Sequence, residues 1–434
     1  MNTNTTSVGN ELMCPYLSTI AEDQHLSDVS NLRRPIHWDG RSLAVKIYRS
    51  WNELEEVLWE WEDILGVNPA LSIFCTPEWM GSWWKTFGAD RRMMTVAFRN
   101  SNNVLIGLAP LYLADFGWSP LRKLGCLKII GDGSGDSDNI DIIVRPGFED
   151  PCAEALLQWL SNQSDWDICC LSMLPDNSKI ARALANQLNV AKWSLTVERT
   201  PNSAIDLPSS WEGFVERLAG DFRPLVTRYP KRLSNRYRVR IHRCDSVEEL
   251  DRALEVLFSL HQKRWNQVNE SGSFGCEQRR QFYRLISERF LRMGWLELWL
   301  LELDGVDVAA QFCFRYRKTA YILQEGFDPT FSGDKVGYVL RSAVLRHLID
   351  SGIQKYDFLG GFNNHKQNWG AQLGSYLTLN FAAPHTIGSY CLHSAKFARE
   401  KKEWFRQHLP GSAWRMLRWA KSKIAPQSSA LRAS

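Results

Sequence analysis

The segment Thr319–Leu340, TAYILQEGFDPTFSGDKVGYVL, predicts a strand, a glycine-bearing loop and a helix in direct succession. Side chains of its first eight residues alternate between two faces, as in a strand. Asp334 stands where a helix cap is expected, Gly337 falls at the third helical position, and Gly352 ends the helix. This strand–loop–helix unit sets the fold expected for the second half of the chain.

A helix that begins with glycine in its first turn is a physical site for an anion. Its free N–H groups point outward, the helix dipole adds partial positive charge, and glycine permits close approach. Lys335 adds a full positive charge at this end. The candidate phosphate-binding residues are therefore Ser332, Gly333, Lys335, Val336, Gly337 and Tyr338. A structural capped helix with an ordinary surface lysine explains the same pattern, so both interpretations stay open.

A second informative stretch is Tyr356–Gly370, YDFLGGFNNHKQNWG. It reads as a buried strand, then Gly360 and Gly361, then a short polar segment. Asn363 is placed to cap a short helical turn that carries His365 and Lys366. Charged residues that directly follow a core strand and a glycine hinge indicate the mouth of a site.

The composition allows two ordinary cores in 434 residues, 44% of them apolar. No apolar run reaches the length of a membrane span, and the N-terminus lacks the pattern of a signal peptide. The ten cysteines are scattered without a CxxC pair, so we expect reduced thiols, no metal site and a cytoplasmic location.

Four regions are expected along the chain: a disordered arm (1–40), an N-terminal domain (41–204), a C-terminal domain (205–388) and a basic helical tail (389–434). The order of elements in the first domain recurs in the second, which predicts an α+β fold with a mixed sheet in each half. From Tyr390 onward the tail carries a net charge of +8. Such a tail suits an anionic membrane surface or an acidic partner, although a solvated helix is the plainer interpretation.

The ordered motifs resemble the GNAT acyltransferase superfamily, and specifically its CelD-like or BioF-like acetyltransferase branch. The resemblance covers about 180 residues and extends to the tandem plan of FemAB-type transferases. It is carried by LPSSWEGFVERL, HQKRW, VDVAAQFCFRY, GFDPTFSGDKVGYVL and YDFLGG with HKQNWG. The usual pyrophosphate loop of the family is reduced here to Ser-Gly-Asp-Lys-Val-Gly, residues 332–337.

The resemblance implies tandem GNAT-like domains, each a mostly antiparallel mixed sheet flanked by helices. It implies acetyl-CoA or another acyl-CoA as co-substrate, with the thioester inserted between strands 319–326 and 355–359 where these splay apart. The acceptor is then expected to be a sugar, a polysaccharide precursor or another small polar molecule. Residues expected on the acceptor side are His261, Arg264, Trp265, Gln324, Gly360 and Gly361.

Within that frame we assign candidate catalytic roles. Lys366 would stabilise negative charge on the reacting oxygen or on the substrate, and His365 would return a proton to the leaving thiolate. Glu325 or Asp357 would accept the proton of the attacking amine or hydroxyl. For Asp357, pairing with a basic neighbour is an equally good explanation; His365 is equally well explained as a surface residue, and Trp265 as a core residue.

Two other functions remain open at this stage. One is FemAB-like aminoacyl transfer, which would need a helical arm to hold tRNA, and we expect no nucleic-acid partner. The other is a non-catalytic double-GNAT component of an exopolysaccharide or cellulose synthesis system. Binding of CoA separates these from an acyl-CoA transferase.

Overall fold

The computed structural model describes residues 43–119, 122–132, 136–266 and 272–394. The predicted α+β class is confirmed, since mixed and antiparallel sheets are flanked by helices. The predicted arm and the tail beyond residue 394 lie outside these residues. No helix in the ranges just given has the length and apolar character needed to cross a bilayer. Within them, the cysteines from Cys75 to Cys313 are free thiols.

Strands make up two sheets. The strands are β1 Ala44–Tyr48, β2 Arg92–Met93, β3 Thr95–Arg99, β4 Leu105–Ala109, β5 Leu111–Ser119, β6 Arg122–Ile129, β7 Ile143–Val144, β8 Ile168–Pro175, β9 Ser194–Asp206, β10 Val239–Arg243, β11 Leu296–Leu303, β12 Val306–Tyr316, β13 Thr319–Phe327, β14 Lys355–Gly360 and β15 Gln372–Ala382.

The helices pack on these sheets. They are α1 Trp51–Glu55, α2 Leu58–Val67, α3 Pro77–Phe87, α4 Glu149–Ser161, α5 Lys179–Val190, α6 Trp211–Arg217, α7 Arg223–Arg236, α8 Val247–Asn266, α9 Glu277–Arg292, α10 Val336–Asp350 and α11 Asn364–Asn368.

The larger sheet runs through both halves of the chain in the order β10-β11-β12-β13-β14-β9-β15-β8-β6-β5-β2, and β1-β3-β4-β7 form the smaller one. The last strand, β15, lies between β9 and β8 and is antiparallel to both. β9 also pairs with β14. The boundary predicted at residues 204 and 205 falls inside β9, so this strand belongs to both halves of the sheet.

The strands β13 and β14 diverge. They pair in parallel at only three positions, Thr319 with Lys355, Ala320 with Tyr356 and Tyr321 with Asp357. β13 continues to Phe327 without β14 beside it. A bulge in the β12–β13 pairing at Phe312 and Cys313 adds a local bend. The divergence leaves a gap, called the slot below, at the C-terminal end of both strands.

The helix α10 begins one residue later than the sequence predicts. Lys335, in the left-handed conformation with φ of 56°, occupies the cap position and supplies no side-chain cap. Asp334 does not cap the helix; it accepts hydrogen bonds from Arg236 and from the Tyr237 hydroxyl at 3.2 Å. Gly337 is therefore the second helical residue. The N–H groups of Val336 and Gly337 consequently lack helical partners.

The helix α8 lies directly against β13. A Cβ built on Gly326 would stand 2.4 Å from the backbone nitrogen of His261, so only glycine permits this approach. The contact places the C-terminal turns of α8 beside the slot. Three side chains of α8 predicted for the acceptor site, His261, Arg264 and Trp265, accordingly face this region.

Candidate active site

The slot contains two adjoining cavities, each of about 280 Å³. The first, the helix-side cavity, opens at the N-terminus of α10 and is lined by Ser332 and the run Lys335–Tyr338. The second, the strand-side cavity, lies between β13, the end of β14 and α8. Four side chains line both cavities and form the wall between them: Arg264, Glu325, Arg341 and His365.

Glu325 is held between two arginines. Arg264 Nη1 donates to its Oε1 at 3.1 Å, and Arg341 Nη2 donates to its Oε2. Burial alone would raise the pKa of this carboxyl, but the guanidiniums of Arg341 and Arg264 outweigh it and hold the pKa below its ordinary value. A carboxylate that is ionised and bonded on both oxygens is a counter-ion, which argues against the base role predicted for Glu325.

Arg341 is the buried cation of the slot. Its side chain is 4% exposed, and its guanidinium lies between the rings of Phe358 and Trp369 at 5.2 and 5.3 Å. The Nε of Arg341 is buried and has no hydrogen-bond partner within the described residues. An arginine in this position orients Glu325 and brings positive charge to both cavities, which it lines.

His365 adjoins this pair. Its Nε2 lies 3.4 Å from Arg341 Nη1. Because arginine only donates, Nε2 carries the lone pair and the proton resides on Nδ1. Burial, reinforced by the positive charge of Arg341, lowers the pKa of His365 to about 4. The imidazole is therefore neutral at physiological pH, and it is half-buried rather than a free surface residue.

Lys366 lines the strand-side cavity, but its ammonium is already bonded to the backbone. Its ammonium donates to the carbonyl oxygens of Phe358, Gly360 and Gly361 at 3.0, 2.6 and 3.0 Å. A lysine has three donors, and all three are used here. The geometry gives Lys366 the role of fixing the end of β14, in place of the charge-stabilising role predicted from the sequence.

Asp357 lies away from the slot. Its Oδ1 accepts the N–H of Leu359 at 2.8 Å, and its Oδ2 is 3.6 Å from Lys355. It lines a different cleft, together with Tyr321 and Tyr376. The predicted base role is thus corrected to pairing with a basic neighbour and holding Leu359 in its left-handed conformation, φ 59°.

The acceptor-side residues of the sequence prediction meet at the strand-side cavity. His261 is 2% exposed and accepts the indole N–H of Trp265 at 2.9 Å. Burial, followed by the charge of Arg264, lowers the pKa of His261 to about 4. Gln324 and Gly360 also line this cavity, whereas Gly361 and Gly333 line neither cavity.

Residues 220–367, which contain the slot, match a family model described as an acetyltransferase (GNAT) domain. The chain carries a GNAT domain. Its α8, β13, slot and α10 all lie within the matched residues. A search of curated protein sequences found no significant match.

Two solved structures share the fold. A structure described as FemX is 10% identical in sequence and has a TM-score of 0.54. The superposition covers 74% of this chain and 95% of the FemX chain. A conserved protein of unknown function from Bacteroides thetaiotaomicron VPI-5482 is 12% identical and has a TM-score of 0.50. The superposition covers 78% of this chain and 100% of that protein's chain. The likeness therefore extends beyond the GNAT domain into the N-terminal half.

Three residues at the slot of the GNAT domain escaped the sequence analysis. Arg341 interrupts the apolar stripe of α10, which was the signal available for it. Asp136 and Asp138 come from the glycine- and aspartate-rich stretch GDGSGDSDN in the N-terminal half. Asp138 Oδ2 accepts the N–H of Gly360 at 2.6 Å.

Proposed function

We propose that the protein is an acyltransferase that takes its acyl group from an acyl-CoA and passes it directly to an amine or hydroxyl. The observation that carries the proposal is the slot itself. β13 and β14 separate after three residue pairs, and the gap leads to the free N–H groups of Val336 and Gly337. A linear thioester needs such a passage, and its phosphates need such a helix start.

The residues at the helix start suit a phosphate group. Gly337 has room, since a Cβ there would meet only Phe327 at 3.9 Å. Lys335 and Ser332 line the same cavity. The nearby carboxylate of Asp334 is neutralised by Arg236, so it does not oppose an anion. These features support binding of CoA despite the shortened loop motif.

The wall between the cavities supports the chemistry. Arg341, which lines both cavities, is assigned to stabilise negative charge on the thioester carbonyl oxygen as the acceptor attacks. His365 lines both cavities, and its Nε2 accepts from Arg341, so it is assigned to orient that guanidinium. The proton that the acceptor loses is assigned to the departing CoA thiolate, which leaves as the thiol. Glu325 fixes Arg341 and Arg264 in position.

The acceptor would occupy the strand-side cavity. Its lining is mostly polar, with Arg264, Gln324, Asn363 and His365 among the contributors. Such a lining favours a small polar molecule, including a sugar or polysaccharide precursor.

Calorimetric titration with CoA, acetyl-CoA and bulk tRNA tests the proposal. Wild-type protein should bind both CoA ligands, and Gly337→Glu should abolish binding by placing a carboxylate at the helix start. Gly66→Glu is the matched control, because Gly66 lies in α2 and a Cβ added there would meet nothing within 4 Å. Binding of tRNA without CoA would favour aminoacyl transfer, and no binding at all would favour a non-catalytic role.

A further inference from the structure

Two aspartates of the N-terminal half lie across the slot of the C-terminal half. Asp138 Oδ2 accepts the N–H of Gly360, on β14, at 2.6 Å. Asp136 Oδ1 receives a hydrogen bond from Gln324 Nε2, on β13, at 3.4 Å. Residues two apart in sequence therefore contact one diverging strand each. The segment between them bridges Gln324 and Gly360, each three residues beyond the last pair of the two strands.

This segment is firmly anchored. Tyr283 OH donates to Asp136 Oδ1 at 3.1 Å, and Arg279 Nε lies 2.9 Å from Asp136 Oδ2. Ser137 Oγ accepts the indole N–H of Trp79 at 2.9 Å. Asp136 and Ser137 are 3% and 6% exposed. A buried segment bonded on several sides can hold Asp138 at a fixed distance from β13.

The N-terminal half also contains a short parallel pairing. β6 and β8 pair at three positions, Cys126 with Ile168, Leu127 with Cys169 and Lys128 with Cys170, and β6 ends one residue later. Residues that follow β6 then contact β8. Ile140 N–H donates to the carbonyl of Met173 at 3.2 Å, and Ser172 Oγ donates to Asp132 Oδ1 at 2.6 Å. The stretch that carries Asp136 and Asp138 is thus bonded to β8 on one side and reaches the slot on the other.

The backbone at the end of β14 is bonded by side chains instead of by β13. Asp357 accepts a hydrogen bond from the N–H of Leu359, and Asp138 accepts one from the N–H of Gly360. Lys366 donates to three backbone carbonyls. Buried backbone groups need such partners, and a neighbouring strand is the usual one. Without Asp138, the N–H of Gly360 can bond to another acceptor. The end of β14 is then held less firmly apart from β13.

We infer that Asp136 and Asp138 form an interdomain spacer that holds the slot open, with Asp138 as a positioning residue for the acyl-donor site. The spacer itself follows from the contacts above, and only its consequence for the donor rests on the proposed function. A Cβ on Gly360 would stand 3.1 Å from Asp138 Oδ2, so glycine is what lets the carboxylate reach the backbone.

Two measurements on the full chain test the spacer: amide hydrogen exchange at Gly360 and calorimetric titration with CoA. In Asp138→Ala we expect exchange at Gly360 to accelerate, and CoA affinity to fall, by about tenfold or more. Asp138→Asn keeps an oxygen that can accept the same hydrogen bond and should stay within about threefold of wild type on both readouts. Asp115→Ala is the matched control on the same half, because Asp115 is 64% exposed and pairs with Lys123.

The two readouts separate the spacer from the proposed function. Unchanged exchange at Gly360 in Asp138→Ala overturns the spacer, whatever happens to CoA. Faster exchange with unchanged CoA affinity overturns the positioning role of Asp138. If the wild-type protein takes up no CoA, the proposed donor fails, and exchange at Gly360 still decides whether the spacer exists.

Discussion

The guanidinium of Arg341 binds the carboxylate of Glu325, which lies four residues along β13 from the last pairing with β14 at Tyr321. Arg341 reaches this point from α10, the same helix whose first turn offers free N–H groups. The pair thus ties the helix start to the diverging strand. The proposed donor site and the proposed reaction site are connected through one side chain.

Arg341→Met should destabilise the protein by roughly 3 kcal/mol, because it leaves Glu325 partly buried without its closer partner. Adding Glu325→Gln should recover part of this loss, since no unpaired charge then remains. Urea unfolding monitored by fluorescence measures both. Arg264→Met is the control: Arg264 is 40% exposed, and its loss should cost about 1 kcal/mol or less. Equal losses for the two arginines would contradict the assignment.

Lys366→Met should lower the unfolding free energy by about 2 kcal/mol, because three carbonyl groups lose a charged donor. Hydrogen exchange of the segment after Phe358 should accelerate as well. Lys335→Met, which removes a lysine at the mouth of the slot, should leave thermal stability near that of wild type and weaken CoA binding instead. A fully stable Lys366→Met protein would return Lys366 to the charge-stabilising role that the sequence suggested.

Stability should depend on pH through Asp138. Burial is the main cause that raises its pKa from 3.8 to about 6, with smaller contributions from Asp357 and Asp136, while the Gly360 N–H and Lys366 act in the opposite direction. The native state then binds the proton more tightly than the unfolded chain, so ionisation costs stability as pH rises from about 4 through 6.

Asp138→Asn removes that cost. Its unfolding free energy relative to wild type should rise by about 1–3 kcal/mol between pH 4 and pH 7.5. Thermal or urea unfolding at four or five pH values measures the difference. A difference that stays constant over the whole range would show that Asp138 titrates normally in the native protein.

His365 should titrate near pH 4, because burial and the charge of Arg341 both oppose its protonation. The measurement is an NMR titration of the imidazole Cε1–H signal, assigned by its loss in His365→Gln. In Arg341→Met the pKa should move up toward 6.5 as the positive neighbour disappears. Titration of the wild-type signal between pH 6 and 7 would show that His365 is solvated and outside the slot.

The sequence predicts the elements of the slot better than the contacts made inside it. Strand 319–327, the glycine-started helix and the capped turn at Asn363 follow from local patterns, and the structure contains all three. Each depends on alternation, capping or glycine, which are properties of neighbouring residues. The divergence of the two strands came from the family resemblance, not from the residues themselves.

The roles of Lys366 and Asp138 could not be predicted in this way, and for Asp357 local patterns left pairing and catalysis equally open. Lys366 bonds backbone carbonyls that only the folded turn brings together, and Asp357 lines a different cleft from Lys366. Asp138 lies 222 positions from Gly360 in sequence. Contacts between residues so far apart leave no periodicity or motif in the sequence.

The most direct test of the slot is a crystal structure with CoA bound. We predict electron density for the phosphates at the N–H groups of Val336 and Gly337, and for the pantetheine arm between β13 and β14 beside Arg341. Density for CoA elsewhere on the protein, or β13 and β14 paired through Gly360, would contradict the account.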